Sequence, residues 1–272
     1  MSLFTIDQNK CAKDGLCAAE CPYGLITMES GMPEPVPGAE KVCIDCGHCV
    51  AVCPTGAFAL ATMDPAGCAR VEPERLPAAE ALDHLVRFRR SVRVYKNKPV
   101  EREKLVRLLD MVRYAPTGKN TQLISWLVVT GKEAREELAA GAVDWMRDLL
   151  ATNSPMAAAF GVKRWIGAWE QGLDPILRSA PCLLVTHAPE SHRGGVIDST
   201  IALATLDLAA VTEGLGTCWA GLLFLAASNW PPLREKLALP SGETITGAMM
   251  IGYPKHRYQR IPRRKETRVT WR

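Results

Sequence analysis

The sequence predicts an α+β chain in two parts: a small cysteine-rich module, then a larger domain of helices and strands around a central mixed sheet. Three observations carry this expectation. Seven of the ten cysteines precede residue 54, and they fall into two copies of one spacing. Prolines then follow Asp64, Glu72 and Leu76, interrupting any regular element between the two parts. From Ala78 onward, apolar residues recur at helical periods and then in short strand-like runs. The expected boundaries are a cysteine module at 1–62, a linker at 63–79 and a second domain at 80–272, within what 272 residues can fold.

Composition excludes several classes. Apolar residues make up 47% of the chain and the mean hydropathy is −0.02, as in an ordinary globular protein. The longest apolar run, around Cys218 to Ala227, is too short to span a bilayer, so no membrane partner is expected. The N-terminus lacks the basic and apolar regions of a signal peptide, and the wealth of cysteine suits a reducing cytoplasm. The net charge of +4 is mild, and much of it sits in the last eighteen residues, where Lys255, Arg257, Arg260, Arg263, Arg264, Lys265 and Arg268 cluster. No basic stripe with interleaved aromatics accompanies it elsewhere, and nucleic acid is not an expected partner.

In the module, Cys43-Ile-Asp-Cys46-Gly-His-Cys49-Val-Ala-Val-Cys53-Pro54 reads C-x2-C-x2-C-x3-C-P. That run holds cubic 4Fe-4S clusters. Three thiolates two residues apart can curl around one face of a cube, while the fourth is carried to a second cluster. Disulfides suit secreted chains, and a structural zinc would not ask for the third and fourth cysteines followed by proline. His48 sits between ligand cysteines as a bystander. The upstream copy, Cys11-Ala-Lys-Asp14-Gly-Leu-Cys17-Ala-Ala-Glu-Cys21-Pro22, keeps every spacing but has Asp14 in place of the second cysteine. Cys21-Pro-Tyr-Gly-Leu-Ile also parallels Cys53-Pro-Thr-Gly-Ala-Phe, which marks an internal repeat.

Residues 1 to about 62 thus resemble a two-cluster bacterial ferredoxin. The resemblance implies crossed ligation, with Cys43, Cys46, Cys49 and Cys21 on one cluster and Cys11, Cys17 and Cys53 on the other. Asp14 then either completes a four-iron cube, leaves an open corner and a 3Fe-4S cluster, or only caps the following turn. Cys68, in the linker, reads as an ordinary thiol.

In the second domain a helix begins near Ala78, with Leu82, Leu85 and Val86 on one face. It ends in Arg87-Phe-Arg89-Arg90-Ser91-Val-Arg93. Glu101 to Tyr114 is amphipathic, with Leu105, Leu108, Leu109 and Val112 at i, i+3, i+4 and i+7. A polar loop, Ala115-Pro-Thr-Gly-Lys-Asn-Thr-Gln122, precedes a strand at Trp126 to Thr130. Pro181 to Thr186 and Thr244 to Ile251 read as strands and Ser199 to Val211 as a helix. Cys182 and Cys218 lie in apolar runs as core thiols. Trp145, Met146, Phe160, Trp165 and Trp169 either pack in the interior or roof a pocket. His187 and His192 flank a turn-rich loop and are assigned no role.

Arg89-Arg90-Ser91-Val-Arg93, the loop ending at Gln122, Glu213-Gly-Leu-Gly-Thr-Cys-Trp-Ala-Gly221 and Ile251-Gly-Tyr-Pro254 occur in an order similar to the nitroreductase family of flavoproteins, over residues 80 to 265. The whole chain resembles a ferredoxin–nitroreductase fusion. The resemblance implies non-covalent FMN at the interface of a homodimer. Arg89, Arg90, Ser91 and Arg93 would hold its phosphate and ring edge, helped by Arg263 and Arg264, since guanidinium forks suit a phosphate dianion. Asn120 and Gln122 would meet the isoalloxazine or ribityl, with Thr117 near the interface. Backbone amides at Trp219, Ala220 and Gly221 would face the flavin N5 and O4 edge. No side chain stands out as a catalytic acid or base; the cofactor performs the chemistry. The implied function is reduction of a small electron-poor molecule, a nitroaromatic, a quinone or another metabolite. Electrons would come from ferredoxin or NAD(P)H and pass between iron–sulfur clusters and flavin. The alternative is an electron-transfer or redox-sensing protein without turnover of its own.

Overall fold

The computed structural model describes residues 2–272. Two compact units are resolved. The first runs through Leu76 and takes in Gly118–Thr121, and the second comprises Pro77–Thr117 and Gln122–Arg272.

The first unit is built twice over from one pattern. Strand β1 (Phe4–Ile6), helix α1 (Leu16–Ala19), β2 (Ile26–Thr27), β3 (Glu34–Pro35), α2 (Ala39–Val42), α3 (His48–Val52) and β4 (Phe58–Leu60) follow in order. Antiparallel β1 and β4 bring Ile6 opposite Phe58 and Phe4 opposite Leu60, and β2 pairs with β3 through Ile26 and Pro35. None of these elements is long enough to stand alone. The buried core is correspondingly small: Phe4, Cys17, Ile26, Val50, Phe58 and Leu60, with the Phe4 and Phe58 rings 4.5 Å apart. A core of that size rarely supplies more than a few kcal/mol, and such a unit needs staples.

The read linker, 63–79, contains the two short 3-10 turns Pro65–Gly67 and Pro73–Arg75, and the boundary between the units falls at Leu76/Pro77. Cys68 is exposed.

The second unit opens with helices α4 (Ala79–Phe88) and α5 (Arg102–Val112). Strand β5 (Ser125–Val129), helices α6 (Lys132–Ala151), α7 (Pro155–Ala159) and α8 (Val162–Glu170), then strand β6 (Cys182–Pro189) follow. Helix α9 (Gly195–Thr212), β7 (Gly216–Trp219), α10 (Gly221–Asn229), α11 (Pro231–Lys236) and β8 (Glu243–Gly252) complete it. The sheet order is β5-β6-β8-β7, and helices cover both faces. β6 is a central strand and its alternate residues separate cleanly. Leu183 and Val185 enter one core with Trp145, Met146 and Leu223, while Cys182 and Leu184 enter the other with Leu108, Leu203 and Leu206.

The α+β class is as expected, but the sheet is less mixed than expected. All three of its ladders are antiparallel, and among the described residues the parallel pairing is confined to the bridge Ser91↔Thr217. Helix α9 is long and apolar enough to cross a membrane, yet half of it is buried here, with Ala202, Leu203, Leu206, Ala209 and Ala210 in the second core. Trp145 is fully buried, so at that position packing prevails over roofing; Phe160 is exposed, and Trp165 and Trp169 pack partly buried against the first core. His187 is not in a surface turn: it lies in β6 and pairs through Nδ1 with Glu243, while His192 Nε2 meets Asp198 at 2.9 Å.

Candidate functional site

In the first unit, the repeat fixes where the thiols go. Each copy opens with a residue in the left-handed region before the second motif position, Lys13 (φ 56°) and Asp45 (φ 51°). Each then has a left-handed glycine after it, Gly15 (φ 74°) and Gly47 (φ 73°), which caps a short helix. The turns pull the motif residues inward around two cavities. One is lined by Cys11, Asp14, Cys17 and Cys53, and the other by Cys21, Cys43, Cys46 and Cys49. The last cysteine of each copy therefore stands among the first residues of the other.

The surroundings suit iron–sulfur clusters. Phe58 lines both cavities, with Ile6 in the first and Phe4, Ile26 and Leu60 in the second. Backbone amides already point at the crossing thiols: Leu25 N–H donates to Cys21 Sγ and Ala57 N–H to Cys53 Sγ, both at 3.3 Å. Such N–H···S bonds stabilise thiolate charge and raise cluster potentials. Among the described residues no three side chains converge on a single ion; the donors ring cavities instead. Burial pushes the Cys17 thiol up and the Cys49 thiol up to about 11. Cys53 is partly buried, which raises its thiol, yet the Thr55 hydroxyl and nearby amides bring it below the ordinary thiol value.

In the second unit, an extended segment after α4 forms the cationic site. Val92 N–H donates to Thr217 O (2.8 Å), Lys96 N–H to Tyr253 O (2.8 Å) and Lys255 N–H to Val94 O (3.0 Å). The buried Tyr95 hydroxyl donates to Val92 O at 2.7 Å. The segment is thereby clamped between β7 and the chain leaving β8. Gly216 makes the approach feasible: a Cβ there would lie 2.3 Å from Val92 Cγ2. The result is a cavity of about 550 Å³ whose wall carries Arg89, Arg90, Lys96, Lys255 and Arg257 against a single carboxylate, Asp207. Arg89 Nη1 donates to Asp207 Oδ2 at 2.8 Å, and the Thr217 hydroxyl also donates to Asp207. Arg90 lies over the Tyr258 ring, 6.0 Å from its centroid. An excess of guanidinium and ammonium donors over one carboxylate fits a phosphate dianion.

The structure gathers some of the expected residues and separates others. Arg89 and Arg90 share the cavity, and Ser91 bridges to Thr217 beside it. Arg93 lines a neighbouring hollow with Arg164, Trp165 and Arg178. Burial raises the Cys218 thiol next to it, against the opposing pull of Arg93 and Arg178. Arg263 and Arg264 lie in an exposed stretch without regular structure and do not line the cavity; Lys255 and Arg257 do, because the hydrogen bond from Lys255 to Val94 directs the chain there. Ala220 cannot offer its amide to a flavin edge, because it already donates to Ala248 O at 2.9 Å; open donors begin at Gly221, the first residue of α10. Trp219, at the end of β7, is 40% exposed.

Gln122 N–H donates to Thr117 Oγ1 at 3.0 Å, which ties the ends of the polar loop together. Asn120 is occupied otherwise than expected. It belongs to the first unit, where its Nδ2 donates to the carbonyls of Ile44 (3.2 Å) and Asp45 (2.9 Å) between two motif cysteines. Asp207 and Thr217 escaped the sequence reading. The available signal was a lone carboxylate in the apolar run Ile201 to Val211, which burial obliges to find a cation.

Comparison with known proteins agrees with both units. Residues 86–253 match the nitroreductase family and residues 3–54 a 4Fe-4S dicluster domain. A nitrobenzene nitroreductase of Ectopseudomonas oleovorans is 38% identical over 205 residues, 65% of this chain and 88% of that protein. An FMN reductase (NAD(P)H) of Bacillus subtilis is 30% identical over 178 residues, 64% of this chain and 66% of that protein. Among solved structures, a nitroreductase with bound FMN from Desulfitobacterium hafniense superposes with a TM-score of 0.55 at 23% identity, over 71% of this chain and all of that one. The chain belongs to the nitroreductase family of flavin-dependent oxidoreductases and carries a 4Fe-4S dicluster domain ahead of the family domain.

Proposed function

We propose that this chain is an FMN oxidoreductase supplied with single electrons by its own two iron–sulfur clusters, and that it reduces a small electron-poor acceptor. The observation that carries the reading is the joint presence in one chain of a cavity with four cysteines, a cavity with three cysteines and Asp14, and a cationic cavity. Bound FMN takes up electrons one at a time and delivers them as a hydride, which makes it the natural converter between a cluster and a two-electron acceptor. Arg89, Arg90, Lys255 and Arg257 hold the phosphate. Asp207 fixes the Arg89 guanidinium, and the first turn of α10 at Gly221 supplies N–H donors to the ring edge. Ser91, Arg93, Thr117 and Gln122 complete the cofactor contacts, with Trp219 at the ring. The eight cavity residues hold the clusters.

The reading includes a homodimer, which the apolar surface left open supports. Helix α4 buries none of its residues, with Leu82 48% and Val86 50% exposed, and Val106 and Met111 on α5 are also exposed. Patches of that kind mark protein contacts. The thiol-rich module suits a reducing cytoplasm.

The test is anaerobic purification with assay of iron, sulfide and released flavin, then reduction by ferredoxin or by NAD(P)H with a nitroaromatic acceptor. Flavin with two clusters, and faster acceptor turnover with ferredoxin as donor, supports the reading. Two clusters and flavin without turnover of any small acceptor would favour an electron relay. Absence of flavin after gentle purification would overturn the proposal.

A further inference from the structure

We infer that Asp14 occupies the fourth ligand position of the first cavity, which makes that cluster the one with an exchangeable iron while its neighbour is closed by four thiolates. The inference rests on the iron–sulfur reading above. It goes beyond it by assigning the two clusters different chemistry.

Lys13 and Asp45, the residues before Asp14 and Cys46, are both left-handed although neither is glycine, at φ 56° and 51°. Such a conformation costs roughly 1–2 kcal/mol for an ordinary residue. The glycines that follow, at φ 74° and 73°, start helices that carry Cys17 and Cys49 respectively. Asp14 and Cys46 therefore stand at equivalent points of the same turn. Each also lines the cavity its position predicts: Asp14 with Cys11, Cys17 and Cys53, and Cys46 with Cys21, Cys43 and Cys49.

The simpler role for Asp14 is to cap the turn, because its Oδ1 accepts from Leu16 N–H at 3.1 Å. The second copy answers this. There the same turn and helix form with a thiol at that position, so the turn does not require a carboxylate. The Leu16 bond engages one oxygen and orients the group, which leaves Oδ2 as the ligating atom. Asp14 is also exposed whereas Cys17 is buried, which gives this corner access to solvent.

A carboxylate is a harder, weaker ligand for cluster iron than a thiolate. The corner iron leaves as Fe²⁺ when its bond to the Asp14 oxygen and its bonds to three sulfides break, the electron pairs remaining on oxygen and sulfide. A four-iron cluster of core charge 2+ then becomes a neutral three-iron core, with no electron exchanged. Added Fe²⁺ reverses the step.

The experiment uses the full chain reconstituted anaerobically with iron and sulfide, compared with Asp14→Cys and Cys46→Asp. Each sample is treated with ferricyanide, which removes one further electron from any three-iron core and makes it visible by EPR. Wild type should lose about one iron per chain and show the near-isotropic three-iron signal at about one spin per chain; Fe²⁺ with a thiol reductant should return the iron and abolish the signal. Asp14→Cys should lower the signal at least tenfold, and Cys46→Asp should bring a second spin. Equal signals from wild type and Asp14→Cys, or a wild type that keeps all its iron, would overturn the assignment and leave the two-cluster reading standing. A reconstituted chain holding neither iron nor sulfide would overturn both.

Discussion

The Arg89–Asp207 pair separates stability from cofactor affinity, and two substitutions should move them differently. Asp207 is 9% exposed and Arg89 26% exposed, with 2.8 Å between Nη1 and Oδ2. Removing one partner of a fully buried pair costs about 3–5 kcal/mol; with Arg89 a quarter exposed, about 2–3 kcal/mol is the expected loss. Asp207→Asn keeps the shape, takes that loss in stability, and leaves the guanidinium directed at the cavity. FMN affinity should therefore hold or rise. Arg89→Ala removes a charge-assisted contact to the phosphate, worth about 1.5–3 kcal/mol, which weakens binding about 10- to 150-fold. It also leaves the Asp207 carboxylate facing an anion. Urea denaturation of the flavin-free protein gives the stability change, and quenching of FMN fluorescence on titration gives the affinity. If Asp207→Asn weakens FMN binding as much as Arg89→Ala, the phosphate does not sit at Arg89 and the reasoning fails.

Four further outcomes are expected. Gly216→Ala puts a methyl 2.3 Å from the buried, β-branched Val92, and should cost about 1–3 kcal/mol in denaturation together with flavin content. Removing iron with a chelator should unfold the first unit while the second keeps its amide protection in hydrogen exchange, because the small core of the first unit relies on its ligands. Reloading should weaken as pH falls from about 8 to 6: burial raises Cys17 and Cys49, so each must shed a proton to bind iron, and sulfide-linked absorbance against pH reads this directly. In the loaded protein, alkylation followed by mass spectrometry should modify exposed Cys68 and spare Cys182, which burial pushes up to about 12.

The cysteine module was legible because ligand spacing is a local constraint. A cluster dictates which residues must turn inward, and the glycines at 15 and 47 that permit the turns stand in the sequence beside the cysteines. The crossing of Cys21 and Cys53 between cavities was implied by the resemblance to two-cluster ferredoxins, and the cavity linings agree with it. Strand β6 and helix α5 were equally plain, since buried-strand runs and i, i+3, i+4 spacing report burial directly. The near-absence of parallel pairing in the sheet was not, because strand direction depends on the paths of the connections rather than on any strand's own residues.

The cationic cavity shows where local reading ends. The resemblance offered Arg263 and Arg264 of the C-terminal tail for the phosphate, but which cations reach the cavity is decided by the backbone bond from Lys255 to Val94 and by the glycine that lets Val92 approach β7. Those are long-range facts, and they select Lys255 and Arg257 over Arg263 and Arg264. Asn120 shows the same limit from the other side. Its amide has the chemistry to bind a heterocycle edge and equally the chemistry to bind two carbonyls between Cys43 and Cys46, and composition cannot choose between them. Asp207 is the instructive intermediate. Its partner was hidden, but its need for one was visible, because a carboxylate within the apolar face of a buried helix is stable only opposite a cation. Arg89, 118 residues away in sequence, meets that need and in doing so is aimed at the cavity. The same ion pair that satisfies the core therefore orients the phosphate site.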